Sequence, residues 1–385
     1  MILLEYSPDD YKIRATFPYD AFLVDLIKRV PGRRYHTTPT KYWTFPFACW
    51  SDFVSIFERG GIKYGVGQRL REKLKTDQIL REQLIDLKFA SGDETLIQIP
   101  SLQNTTLYQH QKAGIEFLRL CQRGLLAAPV GSGKTLVALG AVETLPHIER
   151  VLILCRAGNK FTWIKEIRNR LGQEPLLVDG TAKKREGLWY NDQSKYTICS
   201  YETFLQDSVL APESWDVIIA DEITKLRNYK TQIAKALKKL KAQYVFGVAG
   251  IPLENHYREL HSIMEFCRPE ACEPGFTFYK RFIEGGESLA PLHERWGPFI
   301  LWFDKSVISQ YLPKKVVQDY DVELSSWEIW EYNKIARDIR SKWHVSNPLT
   351  QLLRLKQFTS DPRVLGFSRR SSKLDVLYET IESNP

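Results

Sequence analysis

No apolar run in this chain approaches the roughly 20 residues that a membrane-spanning helix needs. The opening Met1-Ile2-Leu3-Leu4-Glu5 lacks the pattern of a secretory signal, so the expected setting is cytoplasmic or nucleoid-associated (nuclear in a eukaryote), not secreted. Cysteine is scarce, with six among 385 residues. Several of the six sit in apolar runs, which argues against a disulfide framework and for small core residues in a reducing compartment. His256, His261, Cys267 and Cys272 lie close in sequence, yet their spacing matches no usual zinc pattern. Internal repeats and low-complexity tracts are also missing, which excludes a solenoid and a biased tail.

What remains is ordinary globular composition, 43% hydrophobic and 26% charged, in a length that suggests two or three domains. The formal charge of +8 suits a polyanionic partner. Two basic clusters stand out, Lys28-Arg29 with Arg33-Arg34, and Lys235 to Lys241. A solvated helix face explains each cluster equally well.

The most specific stretch is Ala128-Pro129-Val130-Gly131-Ser132-Gly133-Lys134-Thr135. An apolar run, Gly124 to Ala128, reads as a buried strand before it, and Leu136 to Thr144 reads as a helix after it. Glycines at 131 and 133 let the backbone turn and aim N–H groups at phosphate oxygens, and the helix N-terminus adds partial positive charge. Lys134 would then reach the β- and γ-phosphates of a nucleotide, and the Thr135 hydroxyl would hold Mg²⁺. The strict pattern wants glycine where Ala128 stands. A phosphate loop needs acidic partners at another strand end, and Trp215 to Ala220 is an apolar strand that ends in Asp221-Glu222. Asp221 is the candidate Mg²⁺ carboxylate, and Glu222 the candidate that orients and polarises the attacking water.

Residues 1–62 read as a small α+β unit rich in aromatics. Strands are expected over Lys12–Phe17, Arg33–His36 and Tyr42–Phe45, and helices over Asp20–Val30 and Ala48–Arg59. Residues 63–104 read as a linker with a connecting helix over Gln68–Lys88. From 105 to 266 strands and helices alternate. The strand candidates are Gly124–Ala128, Val151–Cys155, Leu176–Val178, Tyr196–Ser200, Val217–Ala220 and Tyr244–Val248. That order implies an α/β fold with a mostly parallel sheet, and both nucleotide motifs fall at the C-terminal ends of strands, where such sheets bind ligands. Residues 267–345 are less regular and read as helical insertions, and 346–385 as a lead-in to a further domain.

Several further motifs occur in order: Leu107-Tyr108-Gln109-His110-Gln111, Val151 to Cys155 with Trp163 and Glu166, Thr197 to Thr203, Asp221 to Asn228, Ala249 to Asn255 with Glu259-Leu260, Tyr311 to Lys315, and Ser371-Ser372-Lys373-Leu374. Taken together they resemble the first, RecA-like motor lobe of the Swi/Snf-type DNA translocases of helicase superfamily two, over roughly 105–385. The resemblance implies ATP and Mg²⁺ as cofactors and DNA as partner. It implies nucleotide contacts at Tyr108, Gln111, Gly131, Ser132, Gly133, Lys134 and Thr135, with Gln111 reading adenine, and catalytic roles for Lys134, Asp221 and Glu222. It also implies DNA contacts at Arg156, Lys160, Ser200, Tyr201 and Asn255. The chain departs from the family pattern at Thr224, where a histidine is usual, at Ala249 and Ile251, where threonines are usual, and at Arg156, where proline is usual.

The N-terminal unit resembles the HARP domain of annealing helicases in Phe17-Pro18-Tyr19, Pro31 to Tyr35 and Lys41 to Pro46. That likeness implies Arg33, Arg34, Lys41 and Trp43 against forked or branched DNA, with basic groups on phosphates and a ring on an unpaired base. A generic packing domain whose aromatics form its core is the other reading. The family's motor also needs a second RecA-like lobe that supplies arginines to the γ-phosphate. No such lobe is expected within these 385 residues, so it is expected from a longer chain or from another polypeptide. Three functions follow as expectations: a forked-DNA translocase that promotes reannealing or branch migration, a DNA-binding regulator that keeps the cradle without efficient turnover, and a remodelling- or restriction-type duplex translocase.

Overall fold

The computed structural model describes residues 2–38, 41–89, 99, 101–103, 105–189, 194–250, 256–306, 319–342 and 348–383. These fall into two compact units, 1–312 and 313–385. The first unit contains two sheets.

The small sheet has five strands: β1 (Ile2–Ser7), β2 (Lys12–Thr16), β3 (Arg34–His36), β4 (Tyr42–Pro46) and β5 (Tyr64–Val66), in the order β3-β4-β2-β1-β5. Alternation makes one face apolar: Ile2 and Leu4 of β1 and Ile13 and Ala15 of β2 point inward, while Leu3, Glu5, Lys12 and Arg14 do not. The helices Ala21–Arg29 and Trp50–Arg59 cover that face. Asp20 caps the first of them, its Oδ1 accepting from the amides of Phe22 (2.8 Å) and Leu23 (3.1 Å). Phe45, Phe53 and Phe57 are fully buried and stacked, with ring centroids 5.0 Å and 4.2 Å apart. The aromatic richness of this unit is therefore largely its core. β1 and β5 pair in parallel, so the sheet extends to Val66, past the 62 boundary read from sequence.

The large sheet has seven strands, all parallel: β6 (Arg123–Ala127), β7 (Val151–Cys155), β8 (Leu176–Leu177), β9 (Tyr196–Ser200), β10 (Ser214–Asp221), β11 (Lys241–Ala249) and β12 (Ile300–Trp302). Their order is β12-β6-β11-β10-β7-β9-β8. Every residue of β7 and β9 is buried, so β7 reads as a continuous apolar run, while β9 buries Thr197 and Ser200 along with its apolar residues. Register aligns the strand ends in one row: Ala127 opposite Ala249, Val248 opposite Asp221, Ala220 opposite Leu154, and Cys155 opposite Ser200. The loops after β6, β7, β9 and β10 therefore emerge on one rim. The seventh strand, β12, comes from the 267–345 stretch expected to be helical. Three residues, Ile300-Leu301-Trp302, are too few to show a period, and only pairing with Leu125–Ala127 makes them a strand.

The helix Gln68–Phe89 runs from the small sheet to the large one. Lys73 pairs with Glu270 (3.1 Å), Arg81 donates to the Glu294 carbonyl (2.9 Å), and Lys88 donates to the Ile300 carbonyl (2.6 Å). A buried node adds to this. Glu273 accepts from Arg281 and Arg295, each at 3.2 Å, and Arg281 also holds Asp52 of the small unit at 2.8 Å. Burial raises the Glu273 pKa against the pull of both arginines. Desolvation offsets much of the attraction in such a buried node, so it is weak evidence for stability.

The second unit is helical, with helices Ser326–Lys342, Pro348–Ser360 and Ser372–Ser383. Glu328 accepts from the Ser325 amide (2.8 Å) and the Ser372 amide (2.9 Å), so the Ser371-Ser372 pair starts a helix tied to another helix's first turn. Trp327, Phe358 and Phe367 form its aromatic centre.

Candidate nucleotide site

The loop from Ala128 to Gly133 joins β6 to the helix Lys134–Glu143. Gly131 and Gly133 have φ of +87° and +78°, the left-handed region that favours glycine. Ala128 needs no glycine. Among the described residues the left-handed non-glycines are Tyr11, Gln122, His147 and Glu222, and Ala128 is buried with its amide on the Ala249 carbonyl (2.9 Å). Gly133 sits at the helix N-terminus, where unpaired amides and the helix dipole favour an anion. The Ser132 hydroxyl is buried with no hydrogen-bond partner among the described residues, a second sign that the loop suits phosphate oxygens.

Lys134 Nζ donates to the carbonyls of Ala128 (3.0 Å) and Pro129 (3.2 Å). Burial pulls its pKa below that of an ordinary lysine, while Glu222 and Asp221 push it back up. The loop lysine and the two acids therefore share one electrostatic environment, although 87 residues separate Lys134 from Asp221 in sequence (221 − 134). Asp221 ends β10 and is 7% exposed. Its Oδ2 accepts from Trp163 Nε1 (2.9 Å) and lies 3.5 Å from Asn159 Nδ2. Glu222 has φ and ψ near +50°, a conformation that costs a non-glycine residue about 1–3 kcal/mol and collects at functional sites. The Thr135 hydroxyl and the Asp221 carboxylate are oxygen donors of the kind that Mg²⁺ takes beside water and phosphate.

Beside the loop lies a cavity of about 360 Å³, lined among others by Thr105, Tyr108, Gln111, Thr162, Glu166 and Arg170. Gln111 does not stand clear in it. Its Oε1 accepts from the Tyr108 amide (3.0 Å) and its Nε2 donates to the Ser132 carbonyl (3.2 Å), so it fastens the cavity wall to the phosphate loop. An amide still has a donor and a lone pair to spare for a base edge. Thr162 and Arg170 were not singled out by sequence reasoning. A usable signal was present: residues 162, 166 and 170 fall one turn apart on the helix Lys160–Leu171.

A Cβ on Gly133 would stand 2.3 Å from Gln111 Nε2, on backbone that already disfavours any side chain. Gly133→Ala should cost about 1–3 kcal/mol at this spot and weaken ATP binding by about 5- to 150-fold. A titration with a fluorescent ATP analogue checks this, with a thermal melt to confirm that the lobe is intact.

The expected DNA-track residues divide. Arg156 is exposed, directly after β7. Lys160 is largely buried and paired with Asp179 at 2.5 Å. Ser200 is buried and caps the helix Tyr201–Gln206, accepting from the Thr203 amide at 3.0 Å. Tyr201 requires a correction. It is 0% exposed and its hydroxyl donates to the Asp221 carbonyl at 2.8 Å, so it braces the acidic strand end and has no surface for DNA. Asn255, Ile251 and the Tyr311–Lys315 motif lie outside the described residues.

On the small unit Arg33, Arg34 and Lys41 are exposed, and Trp43 is half-buried against Tyr35 with centroids 4.8 Å apart. Lys41 and Trp43 share a cavity of about 390 Å³ with Phe17, Tyr19, Lys28 and Tyr35. Arg33 lines a separate cleft of about 630 Å³ with Arg29, Phe276 and Lys280. No helix among the described residues is long and apolar enough to cross a membrane.

The SNF2-related domain profile matches residues 110–364. An uncharacterized ATP-dependent helicase of Mycoplasma genitalium is 25% identical over 323 residues, covering 78% of this chain and 31% of the relative. The DNA repair and recombination protein RAD54 of Oryza sativa subsp. japonica is 25% identical, covering 75% of this chain and 33% of the relative. The chain thus spans about a third of the length of these relatives. Among solved structures, the Sulfolobus solfataricus SWI2/SNF2 ATPase core in complex with dsDNA superposes with a TM-score of 0.52 at 25% identity, covering 74% of this chain and 66% of that one.

Proposed function

The chain belongs to the SNF2-related domain family, and from that premise we propose that it works as the ATP-binding first lobe of a DNA translocase that acts on forked or branched duplex. The supporting observation is that the loop carrying Lys134 and the strand end carrying Asp221 and Glu222 emerge on one rim of a parallel sheet. In this reading the loop amides and Lys134 hold the β- and γ-phosphates of ATP, and Thr135 and Asp221 hold Mg²⁺. Bound Mg²⁺ would neutralise charge on the phosphates. Glu222 orients the attacking water and takes its proton. Full turnover draws on arginines of a second lobe, in cis or in trans, because such groups supply about 10³–10⁵ in rate.

Forked-DNA preference rests on the small unit, its HARP-like segments and its exposed Arg33, Arg34 and Lys41 beside the Trp43 cavity. Reannealing or branch migration is the corresponding outcome. ATPase assays with forked and plain duplex test it: forked DNA should activate more strongly, and equal activation rejects the preference. Replacing Arg33 and Arg34 together by alanine should lower the salt slope of forked-DNA binding by about 2, or about 1 per lost phosphate contact. ATP binding should be unchanged. Anisotropy across a salt series reads the slope.

A second reading, a DNA-binding regulator with little turnover, draws on two positions. The Thr224 hydroxyl lies 3.4 Å from the Glu222 carbonyl, and Ala249 presents only a buried methyl. Thr224 has no imidazole and its hydroxyl faces the Glu222 carbonyl, and Ala249 has neither group to offer a γ-phosphate. DNA-stimulated phosphate release favours the translocase, and its absence with a second lobe supplied favours the regulator.

A further inference from the structure

Asp221 is held by groups that the proposed chemistry does not use. Trp163 is 1% exposed, and its Nε1–H donates to Asp221 Oδ2 at 2.9 Å. An indole N–H is a donor only, so this contact requires an ionised or accepting oxygen at that place. With Oδ2 engaged by Trp163 and approached by Asn159, the other oxygen, Oδ1, is left for a cation. Trp163 and Asn159 both follow β7, within seven residues of the exposed Arg156 (163 − 156). The loop that carries Arg156 on the rim is thus one short turn and one hydrogen bond away from the carboxylate at the nucleotide site.

We propose that Trp163 is a positioning residue: its indole N–H sets the rotamer of the Asp221 carboxylate, and so sets metal affinity and links the Arg156 loop to the nucleotide site. The inference rests on the reading of Asp221 as the Mg²⁺ carboxylate. Removing an outer partner of a metal ligand typically costs about 10–100-fold in metal affinity. A purely structural tryptophan would instead affect melting and leave the Mg²⁺ requirement alone.

The test uses the full chain and a fluorescent ATP analogue, titrated with Mg²⁺ and then with Mn²⁺. Trp163→Phe keeps an aromatic ring and removes the donor. It should need about 10-fold more metal for half-maximal analogue binding, with metal-free binding unchanged. Trp163→His restores a ring N–H and should recover a metal requirement closer to that of the wild type. If Phe and His shift the requirement equally, or neither shifts it, the indole N–H has no positioning role and the proposal is overturned. Asp221→Asn, run in parallel, separates the two layers. If it leaves the metal requirement unchanged, the Asp221 reading itself fails. If it raises the requirement while Trp163→Phe does not, only the Trp163 inference fails. The wild-type ratio of analogue affinity with and without duplex DNA adds a second readout. Trp163→Phe should bring that ratio towards one.

Discussion

Lys134→Ala should reduce ATP turnover by about 10²–10³ and ATP affinity by at least about 10-fold, with little change in folding. The ammonium lies among the carbonyls of Ala128 and Pro129 and within the field of Asp221 and Glu222. A cation held there against a desolvation cost marks Lys134 as a functional-site candidate, which is what this variant tests. Alanine is a strong helix former at the first position of the helix Lys134–Glu143, and the backbone there is already helical. Stability should therefore shift by no more than about 1 kcal/mol, the usual range for a substitution outside the packed core. Isothermal titration with ATP, steady-state phosphate release and a thermal melt check the three parts separately. Unchanged ATP affinity would remove Lys134 from the phosphate site.

Glu222→Gln should do the opposite to binding and more to chemistry. The amide matches the carboxylate in shape, so the strained turn at φ near +50° has no new steric reason to change. The negative charge beside the phosphates is lost, so ATP affinity should hold or rise slightly. Proton transfer from the attacking water is lost, which costs about 10²–10⁴ in rate. Single-turnover phosphate release measures the loss, and analogue binding shows that the cradle is still loaded. A rate within threefold of the wild type would assign the water to another group.

The backbone of the candidate nucleotide site was largely legible in the sequence. Glycine spacing at 131 and 133 corresponds to two left-handed residues, and an apolar strand ending in two acids corresponds to β10. Strand β7 was legible because burial on both faces leaves no polar residue in Val151–Cys155, and β9 was legible from Tyr196 to Cys199 although it buries Thr197 and Ser200. Two of the short strands were not, although β3 and β8, as short or shorter, were. β5 and β12 have three residues each, and only their partners make them strands.

Tyr201 shows a different limit. Its position in a motif suggested DNA, but its hydroxyl reaches the carbonyl of Asp221, and no local pattern encodes a contact between the ends of β9 and β10. The Glu273 node is equally silent in sequence. Asp52, Glu273, Arg281 and Arg295 are charged residues that read as surface until the fold buries them together. The boundary between the small unit and the linker was hard to read because β5 comes after the helix Trp50–Arg59 and its glycines.

The most direct measurement is a crystal structure of the full chain with Mg²⁺ and a non-hydrolysable ATP analogue. The expected result has the β- and γ-phosphates on the amides of Gly131 to Thr135, Lys134 Nζ moved from the Ala128 and Pro129 carbonyls onto phosphate oxygens, and the metal between Thr135 and Asp221. A triphosphate bound elsewhere, or Lys134 still on those two carbonyls with the analogue present, would contradict the account.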